Sequence, residues 1–230
     1  MSEEAERNPE IFPEQQAEIL LSGPAGDLEA ITDVPDEADI GVVAIICHSL
    51  SDDGGTLHSK VVQMIERATR EMGARTVRFN SRGVGGSQGH HSDGHGEAED
   101  LLAVAEWVRR VRPDDELWLG GYSSGSYVTA MAAQKIPLTH LISVAPPVED
   151  FDFKALPRPE AHWLVIQGDA DEWVNPDAVY SWVQDMDEPP QLVAMENADH
   201  QFHRRLMDLR GVIKNGIRRQ EKISEDAGDP

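Results

Sequence analysis

The sequence predicts an α/β fold, a mostly parallel central sheet flanked by helices. Three observations carry this. Short apolar runs rich in β-branched residues alternate with segments whose apolar residues recur at helical spacing, over most of the 230 residues. The run Val42–Cys47 (VVAIIC) is apolar at every position and too short for a helix, as expected of a strand covered on both faces. No internal repeat and no Gly/Ser linker divides the chain, and its length suits one large domain. The expected organisation is a flexible acidic arm over residues 1–16, a single domain over 17–220, and an acidic tail over 221–230.

Taken in order, Ile19-Leu20-Leu21, then Gly23-Pro24-Ala25-Gly26, then Leu28-Glu29-Ala30-Ile31 reads as an opening hairpin. After the apolar strand at 42–47, residues 56–72 place Leu57, Val61, Ile65, Ala68 and Met72 at helical spacing, with Gly73 as the stop. Thr76-Val77-Arg78-Phe79 is the next strand. Residues 97–111 form a second amphipathic helix with Leu101, Leu102, Ala105 and Val108 on one face and Pro113 just beyond it. A strand at 117–120 runs into Gly121-Tyr122-Ser123-Ser124-Gly125, and a helix rich in small residues follows over 127–135. Strands at 141–144, 163–167 and 192–195 and helices at 177–186 and 203–219 complete the pattern.

Composition limits the function. Forty-two acidic against 20 basic residues give a net charge of -22, which repels nucleic acid and anionic membrane. It also disfavours strongly anionic substrates unless a local basic pocket exists. The excess of Asp and Glu resembles proteins adapted to high salt, a statement about solvation and not about chemistry. No apolar run approaches the ~18 residues of a membrane helix, and MSEEAERNPE lacks a signal-peptide pattern, so a cytoplasmic location is expected. The single cysteine, Cys47, excludes an internal disulfide and ends an apolar run, as a buried small hydrophobe would.

The sharpest chemical signal is Gly121-Tyr122-Ser123-Ser124-Gly125, a G-x-S-x-G set between a strand and a helix. Such a turn holds the nucleophile in strained backbone, needs small flanking residues, and aims helix N–H groups at developing negative charge. A serine hydroxyl is a weak nucleophile without a base. His140 and His162 fall at strand starts, away from the strand ends where a site should lie. His200 follows the last strand, in Asn197-Ala198-Asp199-His200, and is assigned as the base; His203, one helical turn on, is its rival. The acid should come from Gly168-Asp169-Ala170-Asp171-Glu172-Trp173-Val174. Asp171 is chosen, with Asp169 and Glu172 read as solvated loop charges or turn formers.

IICHSLSDDGGTLHSKVV, RFNSRGVGGSQG, GYSSGS, QGDADEWV and NADHQF, in that order, resemble small bacterial α/β-hydrolases without a lid, relatives of dienelactone hydrolases and acyl-peptidases. The resemblance spans residues 19–219. It implies the α/β-hydrolase fold and places Ser123, Asp171 and His200 on the family's triad positions. It also implies an oxyanion hole made by the backbone N–H groups of Leu50 and Ser124. Family members carry His-Pro where this chain has His48-Ser49, which leaves that loop less rigid; His48 is expected to hold the loop by hydrogen bonds.

Two further clusters carry no site. His90, His91, Asp93 and His95 share a Gly-rich loop, read as solvated and not as a metal centre. Arg82-Gly83-Val84-Gly85-Gly86 lacks the spacing of a nucleotide loop, and Arg82 is expected to brace loops near the site. The segment PPVEDFDFKALPRPEA is too short for a lid domain, so an open site is expected. The functional expectation is a serine hydrolase, a carboxylesterase acting on small carboxylic esters through an acyl-enzyme, with no cofactor and no metal. Amide, peptide or lactone hydrolysis is the alternative within catalysis. A hydrolase-fold binding protein without turnover is the alternative outside it. The expected partner is a small acyl substrate, and a homodimer through an exposed sheet edge is compatible with the sequence.

Overall fold

A computed structural model describes residues 5–50 and 54–227. Its centre is a nine-stranded sheet of order β1-β2-β3-β5-β4-β6-β7-β8-β9. The strands are β1 (Glu6–Arg7), β2 (Ala17–Gly23), β3 (Gly26–Asp33), β4 (Val42–Cys47), β5 (Arg75–Phe79), β6 (Glu116–Tyr122), β7 (His140–Val144), β8 (His162–Gly168) and β9 (Gln191–Met195). From β5 across to β9 every pairing is parallel, while β2 and β3 form the antiparallel hairpin at one side. The helices are α1 (Lys60–Arg70), α2 (His95–Val111), α3 (Ser124–Ala132), α4 (Pro176–Gln184) and α5 (Leu206–Ala227).

The alternation of β4 explains its unbroken apolar sequence. Val43, Ile45 and Cys47 face the layer of α2, α3 and α4, with Leu101, Val104, Val108, Val128 and Trp182. Val42, Ala44 and Ile46 face α1 and α5, with Val61, Ile65, Leu209 and Ile213. Successive strand residues point to opposite faces, so a strand covered on both must be apolar throughout.

The ends of the chain depart from expectation. Residues 5–16 are not a loose arm. β1 pairs with β2, Phe12 is buried against Trp107, and the Trp107 indole N–H donates to Pro9 O at 2.9 Å. Polar composition hid one aromatic anchor, and one buried ring with a satisfied indole is enough to tie a short segment down. The expected tail from 221 is helical as far as Ala227, because α5 continues through it. No described helix is long and apolar enough to cross a membrane. The segment at 145–161 holds one 3-10 turn, Phe153–Ala155, and no inserted domain.

Candidate active site

The chemistry-bearing residues converge at the carboxyl edge of the parallel sheet, where open α/β sheets gather their ligands. Ser123 follows β6, Asp171 follows β8, His200 follows β9, and the loop of His48, Ser49 and Leu50 follows β4. His140 and His162 lie at the opposite edge. Burial and the neighbouring His162 push the His140 imidazole down to about 4, which keeps it a neutral core group packed at a tilt against Trp118.

The elbow is built by close approach. Ser123 sits at φ 52° and ψ −129°, a conformation L-residues rarely hold, while its N–H donates to Val144 O at 2.8 Å. A Cβ on Gly121 would stand 2.4 Å from Gly125 O, and one on Gly125 would stand 2.3 Å from His48 O. Neither turn could close with larger residues. α3 begins at Ser124, so its first N–H groups face the space above the Ser123 hydroxyl.

The three predicted side chains form one hydrogen-bonded line. Ser123 Oγ lies 3.2 Å from His200 Nε2, and His200 Nδ1 lies 2.9 Å from Asp171 Oδ2. With Nδ1–H donated to the carboxylate, Nε2 presents a lone pair to the serine hydroxyl. His200 is 1% exposed, and its ring packs against those of Tyr122 (5.3 Å) and Trp173 (4.8 Å). The rival His203 is exposed and pairs instead with Asp199 at 2.9 Å.

Asp171 is moored more firmly than its loop position suggested. Oδ1 accepts the backbone N–H groups of Trp173 (2.9 Å) and Val174 (2.8 Å), and Oδ2 accepts from Gln167 Nε2 (3.0 Å). Burial pushes the carboxyl up, but the hydrogen bonds from His200 and from the Val174 and Trp173 N–H groups outweigh it and hold it below the usual carboxylate range. Its acidic neighbours are not simply solvated. Glu172 Oε2 accepts the His200 N–H at 3.2 Å, and Asp169 Oδ1 accepts the Asn197 N–H at 2.6 Å, so both tie the acid loop to the base loop. Sequence reasoning missed Gln167 because it reads there only as the last polar residue of an apolar strand.

His48 holds its loop. Nδ1 donates to Ser49 O, Nε2 accepts the Ser81 N–H at 3.1 Å, and burial keeps the ring neutral. The Leu50 N–H donates to Ser124 Oγ at 2.8 Å, so the two residues named for the oxyanion hole touch each other. Arg82 braces the rim through Asp100, with Nη2 at 2.8 Å and the backbone N–H at 2.9 Å. Burial, reinforced by Glu97 and Asp100, pushes the Cys47 thiol up and keeps it protonated. In the 90–95 loop, His91 Nδ1 bonds to Glu97 Oε1 at 2.7 Å.

Ser123 opens into a cleft with a larger lobe of about 610 Å³ and a smaller one of about 380 Å³. Trp173, 58% exposed, lines both. Fold and site together define a serine hydrolase of the α/β-hydrolase fold. Residues 43–162 match the α/β hydrolase fold family, and the chain belongs to that family. It is 50% identical to an α/β serine hydrolase without a lid from Xanthomonas campestris, over 91% of this chain and 97% of that one, with a TM-score of 0.88. It is 41% identical to an α/β serine hydrolase homologue from Coxiella burnetii, over 89% and 98%, with a TM-score of 0.86. A dienelactone hydrolase from Anabaena variabilis shares the fold at 17% identity and a TM-score of 0.75, over 89% and 97%.

Proposed function

We propose that this protein hydrolyses small carboxylic esters through an acyl-enzyme, with Ser123 as nucleophile, His200 as general base and then acid, and Asp171 as the residue that orients His200. The observation that carries this reading is the line Ser123 Oγ–His200 Nε2 (3.2 Å) and His200 Nδ1–Asp171 Oδ2 (2.9 Å) at the floor of an open cleft. Ser123 Oγ attacks the ester carbonyl while its proton passes to Nε2. The imidazolium so formed is stabilised by Asp171 and returns the proton to the departing alkoxide. Water repeats the cycle on the acyl-enzyme. The Ser124 N–H at the start of α3 and the Leu50 N–H receive the oxyanion. In the resting enzyme Leu50 donates to the neutral Ser124 hydroxyl, and a charged oxygen, the stronger acceptor, draws that N–H away.

The test is labelling with a fluorophosphonate probe followed by turnover of p-nitrophenyl esters of increasing chain length. Labelling should vanish in Ser123→Ala and drop sharply in His200→Ala. Acetate and butyrate should be cleaved faster than long-chain esters, because the segment at 145–161 holds no inserted domain to cover a long apolar chain. A folded protein that takes no label, or one that prefers long chains, would overturn the corresponding part of the proposal.

A further inference from the structure

His200 has both of its main-chain polar groups held by side chains. Beyond the paired ends of β8 and β9 the two loops stay in contact. The Asp169 N–H donates to Met195 O at 3.1 Å, and the Ala170 N–H donates to Ala198 O at 3.1 Å. A Cβ on Gly168 would stand 2.2 Å from Ala198 O, so the loops lie as close as bare backbone permits. This backbone contact stops at Ala198. No backbone–backbone hydrogen bond reaches His200 among the described residues. Its N–H donates instead to Glu172 Oε2 at 3.2 Å, and its carbonyl accepts from the Tyr122 hydroxyl at 3.2 Å. Glu172 follows Asp171 in the chain, and Tyr122 precedes Ser123.

The base loop does not keep its shape by local preference. Asn197 (φ 52°), Phe202 (φ 54°) and Arg204 (φ 60°) all lie in left-handed backbone, which is unfavourable for a residue as bulky as phenylalanine. Such a loop relaxes unless its surroundings hold it. The tolerance at His200 is small. Nε2 is 3.2 Å from Ser123 Oγ, already at the long end of a hydrogen bond. The imidazole is rigid, so a shift of ~0.5 Å away from the serine breaks that bond.

Glu172 is placed to supply the hold. Its side chain is exposed and enters no ion pair among the described residues. It stands on a fixed loop, because Asp171 Oδ1 takes the N–H groups of Trp173 and Val174. Its carboxylate turns back to the His200 N–H, a charge-assisted bond to backbone. A carboxylate that served only hydration would stand clear of the base. We infer that Glu172 is a positioning residue, which holds the His200 main chain so that one imidazole reaches Ser123 and Asp171 together. It touches no reacting atom and acts through His200. This rests on the triad reading above and adds a fourth residue to it.

Three variants at this position separate reach from charge. Glu172→Gln keeps an acceptor at the same distance. Glu172→Asp keeps the charge but falls one methylene short, and Glu172→Ala removes both. With p-nitrophenyl acetate, kcat should fall by ~10-fold in the Ala and Asp variants and by less than ~3-fold in the Gln variant, with KM unchanged in all three. Thermal midpoints should not move, since the side chain is exposed. The His200 Nδ1 proton, bonded to Asp171, should give a low-field proton NMR signal that is sharp in wild type and Glu172→Gln and broadened in Glu172→Ala. An alanine variant with the wild-type kcat, a loss carried by KM, or a Gln variant as slow as the Ala variant would overturn the inference; the last would assign the effect to charge. The NMR signal needs no turnover. If it follows this pattern in a protein that cleaves no ester, the esterase reading alone is lost. Ester turnover that is undiminished in Glu172→Ala would sink this inference alone.

Discussion

Asp171 Oδ2 lies 2.9 Å from His200 Nδ1, while Asp171 Oδ1 is held by two consecutive backbone N–H groups of its own loop. One carboxylate oxygen thus serves the imidazole and the other serves the backbone. The acid cannot rotate away from His200 without giving up two charge-assisted hydrogen bonds.

Asp171→Asn keeps the shape of this arrangement and reverses part of its polarity. An amide presenting its NH2 group to Nδ1 favours the tautomer with the proton on Nε2, which cannot accept from Ser123. The expected loss in kcat is ~10³–10⁴-fold, with the fold retained. Steady-state ester hydrolysis beside circular dichroism checks it; a loss below ~10-fold in a folded variant would remove Asp171 from the role assigned to it.

Gln167 offers a finer test of the same anchor. Its Nε2 donates to Asp171 and to Gly168 O at 3.1 Å, while its Oε1 is buried without a partner among the described residues. In Gln167→Leu the lost donor and the removed orphan oxygen act in opposite directions, so stability should move by no more than ~1 kcal/mol. The rate should still fall, by roughly 10-fold, because Asp171 has lost one of its three moorings. Gln167→Glu sets a second buried carboxylate against Asp171 and should destabilise by ~3 kcal/mol or more. Thermal midpoints read beside kcat separate the two effects. Equal losses of stability in both variants would make Gln167 a packing residue only.

The serine and the histidine were legible because each sits at a strand end in a fixed chain order, and the tight glycine turn around Ser123 leaves a pattern that few other structures need. Val42–Cys47 was legible because burial on both faces demands an apolar residue at every position. What could not be read were interactions made by generic residues at long range. Phe12 anchors a polar segment through Trp107, 95 positions away, and nothing local marks it. Glu172 and Asp169 look like any acidic loop, and their acceptance of the His200 and Asn197 N–H groups exists only once β8 and β9 are adjacent.

Glu71 bears on stability and pH away from the site. It caps the C-terminus of α1, where the helix dipole disfavours a carboxylate, and it accepts from Arg210 (2.7 Å) and Lys214 (2.8 Å) of α5 and from Arg67 (3.0 Å). The hydrogen bond from Lys214 leads the forces that bring its carboxyl down to about 2, with burial opposing. Because the folded value lies below that of an unfolded glutamate, near ~4.3, the contribution is complete above that value and is lost as pH falls toward about 2. Glu71→Gln should cost ~1–2 kcal/mol in urea unfolding at pH 7, less than the full shift because the pairs are partly solvated. The gap between variant and wild type should close on acidification. A gap independent of pH would mean that the packing of the side chain, and not its charge, joins α1 to α5.

Trp173 is the residue whose removal should separate substrate handling from folding. Its ring covers His200 at 4.8 Å and lines both lobes, yet it is 58% exposed, so little core packing depends on it. Its backbone N–H to Asp171 survives any side-chain change. In Trp173→Ala stability should move by less than ~1 kcal/mol, because an exposed side chain leaves no buried cavity behind. The two lobes then merge, and water gains access to one face of His200. KM for aryl esters should rise ~10-fold through the lost aromatic contact, with a smaller fall in kcat. Trp173→Phe, which keeps a ring at the same place, should recover most of the loss. An unchanged KM in the alanine variant would mean that the ring shields His200 without touching substrate, and the wall between the lobes would then have to come from the loops at 147–152 and 201–206.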